Sequence, residues 1–164
     1  MTMGYAARRE LFCEHATAMF RGDRAECGRT ERLIYPRHCA AHQLFIQSLF
    51  AACVFEHFGK TLDWTELDRF AARLRVERPG VSPLKTEALV RAFYGETRLY
   101  GEIPQIDHWP CMWSVAQMVV GVDRSDAELR ELYERAETVG RETVKAVFVS
   151  SGLLCYRDEE TLRR

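Results

Sequence analysis

The segment from Arg37 to Phe58, RHCAAHQLFIQSLFAACVFEHF, decides the architecture. Pro36 stands where a first helical residue is tolerated and Gly59 where a helix stops, so one long helix is predicted between them. From Leu44 to Phe58 the segment is apolar nearly all round, which marks a helix enclosed by others. Its apolar run carries His42, Gln43, Gln47 and Ser48 and is shorter than the roughly 20 residues that span a bilayer. A buried core helix is expected, and no membrane.

The flanking sequence repeats the helical period. Leu11, Phe12, His15 and Met19 form a stripe closed by Gly22. Asp63 is a predicted N-cap with Glu66 three residues on, and Trp64, Leu67, Phe70, Ala71 and Leu74 share the face that follows. Ser82-Pro83 opens a stripe of Leu84, Ala88, Ala92 and Phe93, and Trp109-Pro110 opens a helix that ends at Gly121. Ser125 and Glu128 make a capping box ahead of Leu129, Leu132, Tyr133, Ala136 and Val139. On the outer face Glu131–Arg135 and Glu137–Arg141 have the spacing of exposed ion pairs. Thr97 to Ile106, with Gly101 and Pro104, reads as a loop or short hairpin, and Val144 to Tyr156 as continuing helix or a strand. The expectation is an all-α single domain, 1–164: a bundle of about six helices around 37–58, with one short hairpin near 97–106. Glu77-Arg78-Pro79-Gly80 is the expected hinge.

The 164 residues are 47% hydrophobic and 29% charged with a net charge of -1, which fits a folded soluble chain and excludes a strongly basic nucleic-acid coat. Six scattered cysteines form no Cys-x-x-Cys pair, there is no asparagine to glycosylate, and the N-terminus lacks the features of a signal peptide. A cytoplasmic protein with reduced thiols is expected. Arginine outnumbers lysine by 20 to 3, spread along the chain as base composition would spread it.

Four constellations bear on chemistry. His38 and His42 are four apart on the long helix, and His15 lies on a stripe that packs against it, so three imidazoles would hold zinc or iron with one position open. The same stretch, Arg37-His38-Cys39-Ala40-Ala41-His42, resembles the Arg-x4–6-His signature of the HEPN superfamily of small helical ribonucleases. That resemblance covers six residues and implies that Arg37 would hold phosphate while His42 works on a 2′-hydroxyl. Cys111 stands at the second position of the helix predicted from Trp109, where the helix dipole and His108 would favour a thiolate nucleophile. Residues 69–91 carry a net charge of +4, from Arg69, Arg73, Arg75, Arg78, Lys85 and Arg91 against Glu77 and Glu87, a candidate nucleic-acid face, although Pro79-Gly80 does not suit a helix-turn-helix. There is no phosphate-binding glycine loop and no Gly-x-Ser-x-Gly elbow.

With each chemical motif short, the leading expectation is a non-catalytic helical module that binds protein, itself included. Trp109 and Trp113, flanking a proline, are the expected interface anchors of a homodimer. The rival classes are the Arg37–His42 ribonuclease and the histidine metal site.

Overall fold

The apolar segment folds as a single helix, and the other helices are laid around it. A computed structural model describes residues 3–152; it is 79% helical, with no strand among the described residues. In chain order the helices are α1 (Tyr5–Arg21), α2 (Arg24–Ile34), α3 (Cys39–Phe58), α4 (Trp64–Glu77), α5 (Pro83–Phe93), α6 (Arg98–Glu102) and α7 (Gln105–Val120). They are followed by α8 (Asp126–Arg135), a π turn (Ala136–Gly140) and α9 (Arg141–Ser150). Helix α3 packs along α7 on one side and along α8, the π turn and α9 on another, while α1 with α2 and α4 with α5 form flanking pairs. Leu49, Phe50, Ala51, Cys53 and Val54 of α3 are wholly buried. By length and composition alone α3 could cross a membrane, but half of that stretch is enclosed by the bundle.

Most helix ends follow the local chemistry. Gly22 closes α1 in the left-handed conformation (φ 67°), where only glycine avoids a β-carbon clash, and its N–H reaches the Ala18 and Met19 carbonyls. Asp63 accepts from the Thr65 and Glu66 amides, and Ser82 from the Lys85 amide. Ser125 and Glu128 complete a reciprocal capping box.

Four expectations are corrected. Helix α3 begins at Cys39 rather than beside Pro36, because α2 runs to Ile34 and the chain turns at a cis Tyr35–Pro36 bond before re-entering. Helix α2 itself carries the signal that marks it, an Asp23 side chain capping the Glu26 amide 3.0 Å away. The expected hairpin is the short helix α6, held by buried Tyr100 and by Ile103 just beyond it. Helix α7 starts at Gln105 rather than at Trp109, so Pro110 lies inside it; both the proline and Ile106 are exposed, so the hydrogen bond that proline cannot donate is missing on the solvent side. Trp64 is 55% exposed at the start of α4 instead of sharing the buried face of Leu67, Phe70 and Leu74.

The region from Val144 continues as helix to Ser150; Cys155 and Tyr156 lie outside the described residues. The π turn makes this run possible. One extra residue per turn rotates Gly140 onto the backbone of α3, where an added β-carbon would stand 2.1 Å from the Ser48 carbonyl oxygen. The charges expected along the outer face of α8 are used between helices instead. Arg124 and Arg135 both pair with Glu56 of α3, and Glu137 pairs with Arg9 of α1.

Alanine scanning of glycine should therefore give opposite signs at two helical sites. Gly140→Ala forces two helix backbones apart and should cost about 1–3 kcal/mol or more in a urea titration. Gly28→Ala, at a mid-α2 site where a β-carbon meets nothing nearer than 3.7 Å, should gain about 0.5–1 kcal/mol. Leu49→Ala, at a fully buried position, should cost about 2–5 kcal/mol.

Candidate functional site

Two of the three candidate metal histidines meet. His15 projects from α1 into the core, and its ring centroid lies 4.9 Å from that of His42 on α3, edge to face. His15 Nδ1 shares a hydrogen bond with the Thr30 hydroxyl (2.9 Å), which also lies 2.8 Å from the Glu26 carbonyl. His42 has no accessible surface and no hydrogen-bond partner within the protein at either ring nitrogen. Phe12, Trp109 and Phe45 surround it at centroid distances of 5.0, 5.4 and 6.5 Å. The Trp113 ring stands 6.0 Å from His15, with its own Nε1 buried and unpartnered. Burial pushes the His42 imidazole down to about 3, with the neighbouring His15 adding to the effect, and burial likewise lowers His15. Both rings are therefore neutral at physiological pH.

His38 does not join them. It is the N-cap of α3, with φ −120° and ψ 14°, so the helical register that would align it with His42 begins one residue too late. Among the described residues no group of three His, Cys, Asp or Glu side chains is placed to hold a metal ion. The three-histidine site for zinc or iron is thus not assembled. Arg37 and His42 are likewise not presented together, since Arg37 is exposed on the surface and His42 is sealed in the core.

Cys111 is the seventh residue of α7, away from the positive end of the helix, and it is buried. Burial raises its thiol, more than Thr86 and Lys85 lower it. His108 is turned elsewhere, with its Nε2–H donating to the Ile103 carbonyl at 3.0 Å and its ring against Tyr100 at 4.5 Å. The expected thiolate is absent because the helix starts earlier than the Trp109-Pro110 signal implied.

The basic stretch at 69–91 is largely neutralised by its own neighbours. Arg69 pairs with Glu66, Arg73 with Glu77, Lys85 with Asp107 at 2.6 Å, and Arg91 with Glu96 at 2.6 Å. Arg91 also lies over the Trp64 ring, 5.3 Å from its centroid. Of the two expected anchors, Trp113 is 3% exposed and fills the interior, while Trp109 is half-buried and packs against the core.

A groove of about 1140 Å³ lies open between α1 on one side and the π turn with α9 on the other, floored by α3. Phe12, Leu44, Phe45, Val144 and Phe148 give it an apolar bed, and Arg8, Arg141, Lys145 and Glu142 stand among its lining. Sequence reasoning missed it. The signal available was the stripe Ala41, Leu44, Phe45 and Ser48, one face of a helix that is apolar nearly all round. No protein-family model matches the chain, and no curated protein or solved structure matches it at a significant level.

The buried imidazoles make the fold sensitive to acid. Their folded-state protonation is depressed below the free value of about 6.5, so the unfolded chain binds more protons once pH falls below that value. Stability is fully present above pH of about 6.5 and should fall toward pH 3 by up to about 1.4 kcal/mol per pH unit for each unmatched proton. His42→Leu should flatten the slope between pH 6.5 and 4 in urea titrations; an unchanged slope would place the acid sensitivity elsewhere.

Proposed function

We propose that this chain is a non-catalytic helical protein-interaction module, and that its recognition surface is the groove between α1 and α9. One contrast carries the reading: His42 and Cys111, on which the catalytic readings turn, are sealed in the core, while the groove of about 1140 Å³ has an apolar bed. His42 and Cys111 are buried and held in forms unsuited to proton transfer or attack at neutral pH. A bed of this kind at the surface is what protein partners cover. Trp113 is buried in the core and Trp109 is half-buried against it, so the groove offers the broader apolar surface for association.

Selection of helical peptides from a display library against the folded protein tests the reading. Val139 borders the groove and is 56% exposed, whereas Val76 is 80% exposed outside it. Val139→Arg should weaken the enriched peptides by at least about tenfold, and Val76→Arg should leave them unchanged. Peptides indifferent to Val139→Arg, or RNA cleavage that disappears in Arg37→Ala, would overturn the assignment.

A further inference from the structure

We propose that the groove receives an amphipathic α-helix of a partner protein whose apolar stripe is flanked by acidic residues, a partner class that rests on the interaction-module reading above. The shape of the bed points to a helix. Ala41, Leu44, Phe45 and Ser48 of α3 fall at i, i+3, i+4 and i+7 and face the groove together. Tyr5 and Phe12 of α1, seven apart, form one wall, and Val144 and Phe148 of α9, four apart, form the other. Three helical ridges enclosing an open trough offer the grooves into which the side chains of a further helix pack.

The size agrees. A helix about 10 Å across and about 15 Å long, some ten residues, occupies on the order of 1200 Å³, against the 1140 Å³ of the groove. Pockets that enclose small molecules run smaller, about 300–1,000 Å³, and bury most of the ligand. A half-open trough of this size suits the apolar side of a helix better.

The charge of the lining selects the partner's flanks. Arg8, Arg9 and Arg141 stand against Glu137 and Glu142, and Arg9 already pairs with Glu137. Arg8 and Arg141 have no ion-pair partner among the described residues. Carboxylates beside the incoming apolar stripe would meet these guanidinium groups, for which arginine provides a planar, two-pronged donor. A second copy of this chain docked groove to groove would instead bring two linings of the same net positive charge together.

Two labelled synthetic helical peptides of about 14 residues test the inference by fluorescence anisotropy. Both carry the same Leu/Phe stripe, flanked by Glu in one and by Lys in the other. The Glu peptide should bind the intact protein about tenfold more tightly at low salt, and the gap should narrow as salt rises. Arg8→Glu with Arg141→Glu should reverse the preference without lowering the melting temperature; should that variant fail to fold, Arg8→Ala with Arg141→Ala should bring the peptides close to parity. Equal binding of both peptides, abolished by Val139→Arg, overturns the acidic-helix inference and leaves the interaction module standing. No binding of either peptide overturns both. A chain that sediments as a dimer, and as a monomer after Val139→Arg, overturns the inference by making a second copy the occupant.

Discussion

Gly140 lies so close to α3 that a β-carbon on it would stand 2.1 Å from the Ser48 carbonyl oxygen, and the rest of the bundle is arranged around that contact. Two helix backbones touch there, with no side chain between them. The π turn at Ala136–Gly140 supplies the extra residue that brings the glycine inward while α8 and α9 continue on either side. Glycine costs a helix stability through its backbone freedom, and here that cost is offset by close packing along the central helix. The ion pairs from Arg124 and Arg135 to Glu56, and from Arg9 to Glu137, tie the same helical run to α3 and α1. Because these pairs are partly exposed, they steer the fit of the helices more than they stabilise it.

The contact also explains the groove. Pinning the π turn to Ser48 directs α9 along one edge of α3, while α1 lies along another, and the two do not close over Ala41 and Leu44. An apolar floor stays open where a further helix would complete the packing. Arg8 and Arg141 on its rim make that opening selective by charge as well as by shape.

The histidine cluster is of another kind. An imidazole with both nitrogens unpartnered is expensive to bury, and His42 meets that cost by staying neutral among Phe12, Phe45 and Trp109. Such a ring contributes shape and an acid sensitivity to the core. Metal binding would ask for a third ligand, and His38 is displaced from the cluster by its non-helical backbone.

The sequence by itself determined the all-α class, the central helix and the caps at Gly22, Asp63, Ser82 and Ser125, because these follow from hydrophobic period and from backbone groups satisfied within a few residues. It also brought His15 toward His42, since both lie on apolar stripes that had to be buried. Only the tertiary structure decided which face of α3 stays uncovered. A helix apolar nearly all round carries no record of which neighbour is missing, so the stripe at 41–48 looked like any other part of the core. Tertiary packing likewise carried α7 through Pro110, whose ring is tolerated on the solvent side, and thereby buried Trp113 and Cys111 far from the helix start. Arg135 and Glu137 were readable as local ion pairs because spacing is visible along a chain; their partners, Glu56 and Arg9, are near only once the helices have packed.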